Sequence, residues 1–194
     1  FNLVNAQVSF TNSSFENCNT SGIQPCFDRG DNPTCGYIPD KNSQFDYVVG
    51  WQSICSVDWY CDNLGYYDVP NIQGAGGCDS LEIINAKTGV HYIGLFNQEA
   101  IVYDFGDNLP YGYYEVQFWT NSCSNQWKIR AFGSTSMPTA SNNNCEITSN
   151  QVSECGTQVF NYSTTWQSVS MEFNTVDNPV RYFTVTGEIG RAHV

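Results

Sequence analysis

An all-β fold, built as a sandwich of two antiparallel sheets, is what the amino-acid sequence predicts, and three observations predict it. Apolar residues alternate with polar ones at a period of two in several stretches, while no window sustains the 3.6-residue period of an amphipathic helix. Turn-forming residues separate those stretches, as in Asp177-Asn178-Pro179. A chain of 194 residues that is 41% hydrophobic and 15% aromatic is also large enough for one all-β domain with a real core.

Along the chain, the polar stretch from Asn17 to Asn42 carries Cys18, Cys26, Cys35 and three prolines with little periodicity, and it reads as a long loop pinned by a disulfide. Val57 to Asp68 reads as a second loop, held by Cys61, and Gln73 to Cys78 as a flexible glycine-rich one. His91 lies in an alternating apolar segment with Tyr92, Ile93 and Leu95 and is expected to be a packed or surface-facing strand residue. From Tyr113 to Thr120, Tyr114, Val116 and Phe118 share one strand face, with Glu115, Gln117 and Trp119 on the other. Trp127, Ile129 and Ala131 share a face of the next strand, and residues 121 to 125 are placed as a hairpin turn between the two. Ser134 to Thr157 reads as another long loop. Its Cys145 and Cys155, ten residues apart, are close enough for an easy local bridge, although spacing does not fix connectivity. Val169, Met171 and Phe173 alternate between Gln167 and Phe173, and a final strand is expected from Arg181 to Thr186.

Composition narrows the function classes. Charged residues are only 13% of the chain, so its surface is made of Asn, Ser, Thr, Gln and Gly, as in extracellular proteins. Seven basic residues against 19 acidic ones give a net charge of -12, which repels nucleic-acid backbones and anionic membranes. Neutral sugars, cations and other proteins remain open as partners, and no run is apolar enough to insert in a membrane as a helix. Nine cysteines without a C-x-x-C pair, and one histidine away from the C-terminal tail, favour disulfides over a structural zinc site and place the chain in an oxidising compartment. The odd count leaves one cysteine over.

Asn12-Ser13-Ser14-Phe15-Glu16 resembles the "N-G-S-F-E" opening of jelly-roll modules of the galactose-binding-like superfamily, which includes many carbohydrate-binding modules. Tyr47-Val48-Val49-Gly50-Trp51, Asp68-Val69-Pro70-Asn71, Thr88 to Leu95, Gly112 to Phe118 and Trp166 to Phe173 follow in the order that family would give. The ordering is especially similar to secreted modules of Bacteroidetes-type surface proteins exported by the type IX route. The resemblance covers most of residues 8 to 186 and implies a jelly-roll β-sandwich, with Trp51 and Trp166 as core-packing residues. It also implies a structural calcium held in part by Glu16. Calcium takes roughly six to eight oxygen ligands, and the family's closing "I-D-D-V" strand, which supplies another of them, has no match before Glu188. A weakened or empty site, or a Glu16 that merely accepts backbone hydrogen bonds, is therefore expected equally.

Both ends read differently from the middle. Phe1 to Ala6, with Val4 and Ala6 spaced as signal peptidase prefers ahead of Gln7, reads as the remnant of a signal peptide, with an ordinary first strand as the alternative. Ile189-Gly190-Arg191-Ala192-His193-Val194 is also what ATCGGAAGAGCACACGTC encodes. It resembles a sequencing adapter and reads as a non-native tail, unless the match is a coincidence. One domain spanning residues 7 to 188, truncated at its last strand, is the expectation.

Catalysis is hard to assemble from these residues. A Ser-His-Asp arrangement would have to draw on His91 from within its apolar strand, no acidic pair sits in a recognisable glycosidase motif, and residues 73 to 78 lack the Lys and helix of a phosphate loop. Sugar binding needs flat rings to stack on a pyranose, with amides, carboxylates or Arg nearby to bond its hydroxyls. Trp59, Tyr60, Tyr66 and Tyr67 with Asp58 form one candidate cluster, whose alternative is a loop with its rings buried over one end of the sandwich. Trp119 with Gln117, joined by Arg130 from the next strand, forms a second. The expected function is a secreted, non-catalytic module that binds carbohydrate within a larger exported or cell-surface protein. An adhesion or spacer domain that contacts proteins is the alternative, and a hydrolase or its accessory domain ranks third.

Overall fold

The computed structural model describes residues 10, 27–29, 32–34, 50–55, 57–61, 87, 91–96, 98–122, 127–140, 145, 147–148, 152–161, 163–189 and 191–193. Among them there is no helix. The strands are β1 (Phe27–Arg29), β2 (Asn32–Thr34), β3 (Trp51–Ile54), β4 (Asp58–Cys61), β5 (His91–Phe96), β6 (Ala100–Asp104) and β7 (Tyr113–Ser122), followed by β8 (Trp127–Ser134), β9 (Thr139–Ala140), β10 (Ile147–Thr148), β11 (Val152–Phe160), β12 (Ser163–Asn174), β13 (Tyr182–Ile189) and β14 (Arg191–His193). Two five-stranded antiparallel sheets, ordered β11-β8-β13-β6-β3 and β12-β7-β14-β5-β4, make the sandwich, and β1-β2 and β10-β9 form two small pairs. The predicted all-β jelly-roll architecture is the one observed.

Alternation explains how the layers meet. Tyr114 and Val116 of β7 and Val169, Met171 and Phe173 of β12 are buried, and so are Trp127, Ile129 and Ala131 of β8, together with Phe183 and Val185 of β13. All belong to one core between the sheets. Each of the Val, Ile, Met and Phe side chains among them, taken out of water, contributes on the order of 1.5–3 kcal/mol. Aromatic rings join the layers: Phe173 stacks on Tyr114 in its own sheet at 5.2 Å and reaches Phe183 in the other at 6.1 Å. Phe10 packs among Trp51, Tyr103, Phe105 and Phe183. Beneath Trp127 the chain must be glycine, because a β-carbon on Gly187 would run into the indole ring.

The two outer faces differ. On the β11-β8-β13-β6-β3 sheet, Ile54, Ala100 and Val102 point away from the main core yet are buried, packed by Met137, Ala140, Ile147 and Tyr182. The β9-β10 pair supplies two of those covering side chains, and a disulfide from Cys55 at the end of β3 to Cys145 pins the covering segment down. On the other sheet, Tyr113, Glu115, Gln117 and Trp119 of β7 and Ser168, Ser170 and Glu172 of β12 are exposed.

Several expectations need correction. The strands β7 and β8 do not form a hairpin. They belong to opposite sheets, and their apolar faces meet across the core rather than side by side, an arrangement that satisfies the same alternation. Arg130 is therefore not beside Trp119. Cys145 pairs with Cys55, and Cys155 remains a thiol. Cys155 sits on β11 packed against the main core, whereas Cys145 is bonded to Cys55, which packs with the outer-face cluster of the same sheet, so a local bridge would have had to pass through the sheet. The segment 58–61 is strand β4 rather than loop, the region 134–157 contains β9, β10 and the start of β11, and β1 and β2 lie within 17–42. The final strand runs further than expected, from Tyr182 to Ile189, and Arg191–His193 pairs with both β5 and β7. Trp51 is buried as expected, but Trp166 is only half-buried, in the irregular part of β12 between Ser163 and Gln167.

Candidate functional site

The open face of the β12-β7-β14-β5-β4 sheet gathers the exposed chemistry. Because Val116 and Phe118 turn inward, Trp119 must turn out, and the residue stays 42% exposed. Antiparallel register sets its neighbours: Trp119 lies opposite Ser168, Gln117 opposite Ser170, Glu115 opposite Glu172 and Tyr113 opposite Asn174. Cross-strand partners share a face. A ring at one end, a half-exposed Tyr113 at the other and a row of amide, hydroxyl and carboxylate groups between them thus lie along one strand pair.

Polar contacts within the row fix its geometry. The Gln117 amide Nε2 donates to Glu115 Oε1 at 2.8 Å, and the Ser170 hydroxyl donates to the same oxygen. These two hydrogen bonds, Ser170's first, hold the Glu115 carboxyl below the usual carboxylate range, against a small opposing effect of desolvation. Glu115 is therefore an acceptor at neutral pH and is poorly suited to give up a proton. Above the ring, the Lys87 ammonium lies 3.9 Å from the centroid of Trp119.

The register carries this face across the sheet. Ser122 of β7 pairs with Ala192, which pairs with the buried Leu95, so the neighbouring positions 121, 193 and 94 lie on the Trp119 face. Asp58 pairs with Gly94 and Tyr60 with Tyr92, which puts positions 58 and 60 on that face too. Position 59 pairs with Ile93, whose side chain is in the core. The structure thus brings Asp58, Tyr60, Gln117 and Trp119 to one face by register and gives Trp59 the opposite parity. Tyr66, Tyr67 and Glu16 lie outside the described residues. Among the described residues no three His, Cys, Asp or Glu side chains come together as a metal site.

Arg130 belongs to the other sheet, where its guanidinium is 3.5 Å from Glu154 and lies over the Phe132 ring. Sequence reasoning missed Ser168, Ser170 and Glu172, although they are the polar half of the same alternation that identified Val169, Met171 and Phe173 as core. Lys87 carried no signal of its own, since it meets Trp119 only through the fold.

No protein-family model matches the chain, and no curated protein does. Among solved structures, a carbohydrate-binding module described as "CBM4 structure and function" is similar to this chain with a TM-score of 0.42 and 12% sequence identity, covering 95% of this chain and 94% of that one.

Proposed function

We propose that the chain is a non-catalytic glycan-binding module of a secreted or cell-surface protein, and that its ligand lies on the outer face of the β12-β7-β14-β5-β4 sheet. One observation carries this reading: over β3 and β6 of one sheet a covering segment and a disulfide bury the outer side chains, while on the other sheet Trp119 and a hydrogen-bonding row stand open to solvent along one strand pair. An indole in that position offers a flat surface to the C-H side of a sugar ring, and Gln117, Glu115, Ser168 and Ser170 can bond its hydroxyls. Asp58 and Tyr60 extend the face by register, and Tyr66 and Tyr67, which follow β4 in the chain, belong to the same proposal. Trp59 and Arg130 do not. Binding is favoured over turnover because Glu115, exposed and held below the usual carboxylate range by its hydrogen bonds, is an acceptor for a sugar hydroxyl rather than a proton donor. The disulfide agrees with an extracellular setting.

Titration calorimetry against hexamers of glucose, xylose, mannose and N-acetylglucosamine tests the reading. At least one should bind, Trp119→Ala should weaken it roughly ten-fold or more, and Arg130→Ala should leave it unchanged. Equal affinity for wild type and Trp119→Ala would remove the ring from the site, and no binding by the wild type to any hexamer would favour the protein-contacting spacer instead.

A further inference from the structure

The Lys87 ammonium sits over a face of the Trp119 indole on which a sugar could stack. At 3.9 Å from the ring centroid it occupies the distance at which a pyranose face would make van der Waals contact with the indole. Trp119 is only 42% exposed, so ligand and ammonium draw on the same limited surface. Lys87 is itself exposed, on a long flexible stem, and it can leave the ring without disturbing any packed element.

We infer that Lys87 is an intramolecular competitor for the Trp119 face, which caps the ring in the unliganded molecule and must be displaced before a glycan stacks. The inference rests on the glycan-binding reading and assigns to that site an element of regulation: the cap sets a threshold of affinity and keeps an exposed indole from casual apolar contacts. An ammonium on an exposed ring is held only weakly, so the threshold is modest. A guanidinium stacks at least as well, so an arginine at the position would cap the ring as firmly.

Calorimetry with the hexamer that the wild type binds, on wild type, Lys87→Ala and Lys87→Arg, tests the competition. Lys87→Ala is expected to bind roughly two- to five-fold more tightly than wild type, and Lys87→Arg no more tightly than wild type. An NMR readout goes with it: the Lys87 Hε resonances should be displaced upfield by the ring current of Trp119 in the free protein and return towards ordinary values both in Trp119→Ala and on saturation with the hexamer. Unchanged or weaker binding by Lys87→Ala, or an upfield displacement that survives saturation, overturns the competitor role. Failure of the wild type to bind any hexamer removes the glycan reading together with this inference. Binding that Trp119→Ala abolishes and Lys87→Ala leaves untouched removes the inference alone.

Discussion

Trp119 and Trp127 carry the same side chain to opposite fates, and strand parity with local packing decides between them. Trp127 is fully buried against Gly187, whereas Trp119, one position past an inward-turned Phe118, is left 42% exposed. That contrast was legible in the alternation of residues 113 to 119. The contact with Lys87 was not, because nothing local links positions 87 and 119. A second residue-scale device is the pair of Asp104 and Arg181, joined by Nε to Oδ1 at 2.9 Å and Nη2 to Oδ2 at 3.0 Å, with the Gly106 amide donating to the same carboxylate at 2.8 Å. Arg181 holds the Asp104 carboxyl below its ordinary value of 3.8, more than burial raises it. A lowered folded-state value means that the carboxylate's contribution to stability is fully present above 3.8 and is lost as pH falls through the lowered value. Asp104→Asn should therefore lower the melting temperature at neutral pH and flatten the wild-type loss of stability as pH falls below 3.8. Melting curves of the two proteins that run parallel through that range would show the pair contributes nothing to acid stability.

At the scale of elements, the instructive case is β7 and β8. Each strand announces one apolar and one polar face, and a hairpin or two facing layers would honour that pattern equally. Four residues separate Ser122 from Trp127, a length that suits either arrangement. The choice lies with long-range partners, β12 for β7 and β11 with β13 for β8, and no local signal reports it. The same limit applies to Cys145, where closeness in sequence pointed to Cys155 and the side of the sheet decided for Cys55. That disulfide closes a loop with a sequence separation of 90 and anchors the segment over Ile54, Ala100 and Val102. Replacing Cys55 and Cys145 together by Ser should cost about 2–4 kcal/mol in urea denaturation. Glycan binding should survive at temperatures where the variant is folded, since the bridge is on the far sheet from Trp119. An unchanged urea midpoint would mean the covering segment holds without its anchor.

At the scale of the whole molecule, the outer face over β3 and β6 is covered while that of β7 and β12 is open, and the proposed function rests on the open one. Sequence pattern was enough for the two layers, because period-two alternation over several stretches leaves few other ways to bury so many rings. It did not tell the covered outer face from the open one, since Ile54, Ala100 and Val102 become buried only when residues far along the chain fold over them. The net charge of -12 acts over the molecule as a whole and turns away polyanionic ligands, which is compatible with the neutral glycan proposed. The most direct test is a residue-by-residue map of amide NMR shifts as an oligosaccharide hexamer is added. The account predicts changes concentrated in Tyr113–Ser122 and Ser163–Asn174, with Trp119 at their centre and β8 and β11 silent. Changes centred on β8 and β11 would contradict it, placing the ligand on the opposite sheet from Trp119.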